Sequence, residues 1–248
     1  MQNKNTGPKT LQTKSLANAK LLNSNFQGQD FNKADLRNAD LSGSNLRGAS
    51  LKEANLTDAK LTRVDLSGAD MNNALLYKAD LSQADLSGAD LTQANLKEAK
   101  LIETNLNSAN LNSAKITGAN LNKAQIRRSS LRAVNLRGAR LIEADLSESD
   151  FSGILQASSK KYEISDLSGT DLTKAKLTKA KMQRADLSGA DLVGADLRGA
   201  DLRQANLSGA DLKGAKLEGA KLKGTDLRKA NLEGVELSFF QKWLATTV

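Results

Sequence analysis

Medium-sized apolar residues occupy every fifth position of this chain, almost without a break from Leu16 to Leu237, and the residue two before each is nearly always alanine. Representative units read Ala84-Asp85-Leu86-Ser87-Gly88 and Ala200-Asp201-Leu202-Arg203-Gln204. A period of five fits neither the ~3.6 of an amphipathic helix nor the ~2 of an ordinary strand, and points to a repeat architecture. Within a unit, the alanine and the apolar centre alternate across one polar residue, as two inward side chains of a short extended segment do. The next two positions must then turn the chain. Of the 18 glycines, all but Gly7 take the second of those positions, for example Gly43 after Leu41, Gly88 after Leu86 and Gly199 after Leu197. A type II turn needs positive φ at its third residue, where glycine carries no steric penalty. The pattern therefore predicts a solenoid with a corner every five residues.

The charges set the number of sides. Just before the centres, one line spaced by twenty reads Lys20, Asp40, Lys60, Asp80, Lys100; two others read Lys176, Asp196, Lys216, Glu236 and Lys181, Asp201, Lys221. Stacked coils lie about 4.8 Å apart, where opposite charges attract and like charges repel. Twenty residues per coil, in four sides of five, turns these lines into alternating ladders. Other lines, such as Asp171, Asp191, Asp211, carry like charges, so the ladder is partial.

With this register the chain resembles the pentapeptide repeat proteins over most of its length. The resemblance implies an all-β fold, a right-handed quadrilateral β-helix. Departures are mild: Ile116, Ile126, Met71, Met182 and Phe151 at centres, and Thr104, Ser129, Val64 or Val134 in place of alanine. The centres from Leu16 to Phe151 and from Leu167 to Leu237 number 28 and 15, or about 10–11 coils. At about 4.8 Å per coil the rod is roughly 50 Å long. Residues 1–15 read as a flexible tail and 16–248 as a single β-helix domain.

One interruption falls at 152–166, because the centres at Phe151 and Leu167 lie sixteen residues apart rather than fifteen. Either three degenerate units with a bulge fill the gap or the segment loops out. Looping out would set Asp171 over Arg140, Lys176 over Asp145 and Lys181 over Asp150, three opposite-charge contacts at once. That favours a loop from Ser152 to roughly Ile164. Its Ile154, Leu155, Lys160, Lys161 and Tyr162 suit a partner contact, against the plainer reading of a tolerated surface insertion. At the C-terminus, Phe239, Phe240, Trp243 and Leu244 have the spacing of one face of a short helix at 238–248. Such a helix would lie over the last coil as an intramolecular lid. Some members of the resembled family dimerise through a C-terminal element, so a shared homodimer cap is the rival.

Composition narrows the chemistry. With no histidine and no cysteine, the commonest metal ligands, the usual neutral-pH base and the thiol nucleophile are missing. The Asp and Asn residues recur once per unit on every side, as a fold requirement would, without a ligand spacing. We expect no cofactor, no metal and no enzymatic activity. No apolar run reaches membrane-spanning length and the first residues are polar, so a cytoplasmic protein is expected.

The net charge of +8 is concentrated. Between Glu103 and Glu143 there is no acid, while Lys115, Lys123, Arg127, Arg128, Arg132, Arg137 and Arg140 fall within two coils. This basic belt either contacts an acidic partner or simply solvates the rod. Arg127, Arg128 and Arg132 lead the candidates, with Arg137 and Arg140 beside them. Family members directed at DNA gyrase are thought to mimic duplex DNA with an acidic rod, which this basic chain would not do. The expected function is a non-catalytic protein–protein interaction scaffold with an acidic-surfaced partner. The second reading is a nucleic-acid-directed protein, binding DNA through the belt or modulating a topoisomerase. Scarce aromatics weigh against single-strand binding.

Overall fold

The computed structural model describes residues 15–236. Each unit contributes one parallel bridge to the coil above, and the bridges run Lys20 to Asp40, Asp40 to Lys60, Asp85 to Asn105 and onward with a step of twenty residues. Four five-residue sides therefore complete each coil. Among the described residues there is no helix, and the only two named strands are β1 (Ile154–Leu155) and β2 (Tyr162–Glu163).

A full accounting of backbone donors explains why the unit has five residues of these types. Around Leu86, the Leu86 N–H donates to the Asn105 carbonyl at 2.7 Å, Gly88 to Asn107 at 3.0 Å, and Asp90 back to Ala69 at 2.9 Å. The Ala89 N–H closes the corner onto the Leu86 carbonyl at 3.0 Å. The fifth donor, Ser87 N–H, is taken by the Asp85 carboxylate at 2.8 Å. The recurrent Asp or Asn is thus an Asx cap for its own corner, which leaves no N–H of the unit without a partner. This revises the role expected for that position. Some stacked opposite charges do pair, with Lys100 to Asp80 at 3.6 Å and Lys221 to Asp201 at 4.0 Å, but the carboxylates serve their own corners first.

Corners take positive φ as the glycines implied, from +60° at Gly169 to +72° at Gly219 and Gly234. Most corners have no glycine, however, and Arg128 (55°), Ala133 (53°), Glu148 (62°) and Arg184 (63°) adopt the same left-handed conformation. Each costs about 1–2 kcal/mol relative to an unstrained residue, and the closed hydrogen-bond network on either side holds it there.

The interior is a single column of centres and alanines, fully enclosed from Phe31 to Leu222. Hydroxyls replace alanine without breaking it: Thr104 Oγ1 donates to the Leu81 carbonyl at 2.9 Å and Ser129 Oγ to Leu106 at 2.7 Å. At the two ends of the described stretch, Leu16, Leu21, Phe26, Leu227, Leu232 and Val235 are only partly buried. The cap helix expected at 238–248, with Phe239, Phe240, Trp243 and Leu244, and all but the last residue of the tail expected at 1–15 lie outside the described residues.

The column runs straight past the interruption. Asn135 bridges Asp166, Arg140 bridges Asp171, Asp145 bridges Lys176 and Asp150 bridges Lys181, a step of 31 rather than 20 and so eleven extra residues. Phe151 remains a buried centre, and Ser165 resumes the alanine position, donating its hydroxyl to the Leu131 carbonyl at 3.0 Å. Between them β1 and β2 pair antiparallel as a small hairpin.

Candidate functional site

Three features could carry function: the basic belt, the hairpin, and a groove the hairpin makes with the coils that follow it. Belt residues spaced by five fall on successive sides, so the belt faces in several directions. Its members are also less free than their sequence suggests. Arg128 Nε donates to Glu148 at 3.0 Å, and this hydrogen bond holds the Glu148 carboxyl below its usual range. Arg127 Nε lies 3.9 Å from the Asp145 carboxylate. Both acids sit one coil onward, so these two arginines have partners on the neighbouring coil. Arg137 and Arg140 are exposed and make no ion pair among the described residues.

The absence of acid from the belt has a structural basis. Where Gln125, Ser130 and Arg140 replace the capping Asp, an asparagine of the preceding coil reaches up to the orphaned donor. Asn107 Oδ1 accepts from Arg127 N–H at 2.9 Å, Asn112 Oδ1 from Arg132 at 2.9 Å and Asn122 Oδ1 from Ile142 at 3.1 Å. A neutral amide does the work of a carboxylate, so the corner forms without negative charge.

Arg132 belongs to the hairpin rather than to the belt's outer surface. It is half-buried, its Nη2 donates to the Gly153 carbonyl at 3.4 Å, and its Nε is enclosed without an acceptor. Gly153 departs from the other corner glycines because its φ is not positive. Its requirement is space: a Cβ there would stand 2.4 Å from Tyr162 Cε1 and 2.6 Å from the Glu163 carbonyl oxygen. β2 packs directly over it. Leu155, Tyr162 and Ile164 are exposed, Leu155 most at 61%, and Lys160 and Lys161 stand at the tip.

Beyond the hairpin lies a groove of about 660 Å³ that the sequence reading missed. Tyr162 forms one wall, and the corner residues Gln183, Arg184, Arg203, Gln204 and Lys223 form its floor. Arg184 stacks on the Tyr162 ring, 5.1 Å from its centroid, and its Nε donates to Gln204 Oε1 at 2.8 Å. Arg203 is committed to Asp201 through bonds of 2.8 and 2.6 Å, which hold that carboxyl below its usual range despite partial burial. The available signal lay in columns spaced by twenty: Gln183, Arg203, Lys223 and Arg184, Gln204, Gly224 contain no acid.

Among the described residues, no group of three or more acidic side chains is placed to hold a metal ion. Nor is there among them a helix long and apolar enough to cross a membrane.

Comparison with known proteins agrees with this architecture. Eight copies of the family described as pentapeptide repeats match residues 15–48, 54–93, 94–132, 114–153, 165–204 and 205–238. The chain belongs to the pentapeptide repeat family. Among solved structures it is similar to HetL, a pentapeptide repeat protein involved in heterocyst differentiation regulation from the cyanobacterium Nostoc sp. strain PCC 7120. That similarity has 37% identity over 92% of this chain and 91% of HetL, with a TM-score of 0.41. It is also similar to QnrB1, a plasmid-mediated fluoroquinolone resistance protein, at 25% identity over 76% of this chain and 91% of that one, TM-score 0.37. A pentapeptide repeat protein, Rfr23, from the cyanobacterium Cyanothece 51142 matches at 28% identity over 46% of this chain and 64% of its own, TM-score 0.25. No curated protein sequence matches. Pentapeptide repeat proteins are generally structural or interaction proteins rather than enzymes.

Proposed function

We propose that this chain is a cytoplasmic, non-catalytic interaction scaffold: a right-handed rod of about 10–11 coils that docks an acidic-surfaced protein through the hairpin and the coils beside it. The observation that carries this reading is the hairpin itself. Leu155, Tyr162 and Ile164 stand exposed on a segment that leaves and re-enters an uninterrupted core between Phe151 and Ser165. The register does not need those residues, and apolar side chains held out on a rigid support are the usual makings of a contact surface.

The test is affinity capture with the intact protein and a variant lacking residues 154–164. That deletion removes the eleven extra residues and leaves Gly153 at a corner before Ser165, so the step of twenty is restored. A protein bound by the intact rod and lost with the hairpin supports the proposal. Retention of every captured protein by the deletion variant overturns it. Recovery that depends on nucleic acid and survives the deletion would favour the DNA- or topoisomerase-directed reading through the belt.

A further inference from the structure

We propose that the groove between the hairpin and the following coils binds an extended acidic peptide segment of another protein; this deepens the scaffold reading and rests on it. The walls carry cations and amides but no carboxylate. Arg203 is neutralised by Asp201, and Lys181 approaches Asp150 at 3.9 Å. Arg184 is different, because it is held in place by neutral groups alone, the Tyr162 ring and Gln204. Lys223 has no ion pair among the described residues. Two cations two coils apart therefore face one groove without a partner of their own. That spacing, about 9.6 Å, is close to three residues of extended chain at about 3.3 Å each.

The groove's amides are held by the protein itself: Gln183 Nε2 donates to Asp201 Oδ2 at 2.8 Å, and Gln204 Oε1 accepts from Arg184 Nε at 2.8 Å. The Tyr162 face that could stack a base is already covered by Arg184. This chain's own segments outside the described residues, 1–14 and 237–248, contain no Asp or Glu, so charge complementarity points to another protein.

The experiment uses the full chain and a fluorescein-labelled peptide of repeated Asp-Glu, followed by anisotropy, against the matched Asn-Gln peptide and a deoxythymidine oligonucleotide of similar length. We expect the acidic peptide to bind and the neutral one not to. The double variant Arg184→Gln with Lys223→Gln should weaken binding by about tenfold or more, while Arg137→Gln with Arg140→Gln changes it less than about twofold. Equal losses in the groove and belt variants, absence of peptide binding, or tighter binding of the oligonucleotide would each overturn the proposal. Matching denaturation midpoints among the variants show that folding is not the cause. If the peptide fails but hairpin-dependent capture persists, the groove assignment falls and the scaffold reading stands.

Discussion

The belt coils and the coils under the groove are both rich in Lys and Arg, yet the structure uses those charges in opposite ways. In the belt, Arg127 and Arg128 lean on Asp145 and Glu148 of the next coil, Arg132 turns towards the hairpin, and the rest face several directions. Around the groove, Lys181, Arg184 and Lys223 converge on one concavity. The difference teaches that a charge cluster along a solenoid sequence is not a charge cluster in space. Residues twenty apart share a surface, and residues five apart face different directions. The denser run in the sequence is therefore the more dispersed one in space.

The two regions share one hydrophobic column, so the largest effect should come from breaking it where they meet. Phe151→Ala removes a fully buried ring below the hairpin and should cost about 3–5 kcal/mol, read as a lowered urea midpoint. Arg128→Ala in the belt, an exposed pair, should cost less than about 1 kcal/mol. Comparable losses would mean that the belt pairs matter far more than exposed pairs normally do.

Gly153→Ala separates the hairpin from the column. The added methyl collides with Tyr162 and the Glu163 carbonyl, and the hairpin should loosen by about 1–3 kcal/mol. Trypsin cleavage at Lys160 and Lys161 should then accelerate by about tenfold while the urea midpoint hardly moves. An unchanged cleavage rate would show that the hairpin is not anchored at Gly153.

A smaller effect contrasts one corner from each region. Ala133 in the belt has φ 53°, and Gly224 beside the groove has φ 70° with Gln204 Cγ 3.5 Å from where a Cβ would lie. Ala133→Gly should stabilise by about 0.5 kcal/mol, because relief of left-handed strain exceeds glycine's entropic cost. Gly224→Ala should destabilise by about 1 kcal/mol for the converse reason. Two denaturation curves decide the signs.

Acid should divide the regions with the smallest energies. Hydrogen bonds from Arg228 lower Asp226 from 3.8 to about 2, and those from Arg203 lower Asp201. A carboxyl depressed on folding stabilises fully above its unfolded pKa, near 4, and loses that contribution as pH falls through the folded value. Between about pH 4 and pH 2 the C-terminal coils should lose amide-exchange protection first. Corners capped by Asn107, Asn112 and Asn122 have no proton to take up and should hold. Simultaneous loss in both regions would sink the distinction.

Much of this was readable before any coordinates. The inward pair, the corners, the coil of twenty and the break after Phe151 all follow from periodicity, because a solenoid repeats the same local problem and the sequence repeats the same solution. Other conclusions were less accessible. Glycine marked the corners, but Arg128, Ala133 and Arg184 adopt the same φ without its signal, because bonds to neighbouring coils impose it. The Asp before each centre looked like a ladder charge, and only the hydrogen bonds reveal it as a cap.

What the sequence determined by itself is the rod: its period, its core and the places where its corners fall. Tertiary structure alone decided which charges are discharged internally, that Gly153 is a contact rather than a turn, and that Tyr162 meets Arg184 across a groove. The physical reason is distance along the chain. Periodic features are set by neighbours within one unit or one coil, whereas the groove depends on where eleven unrepeated residues fold back against coils that come after them.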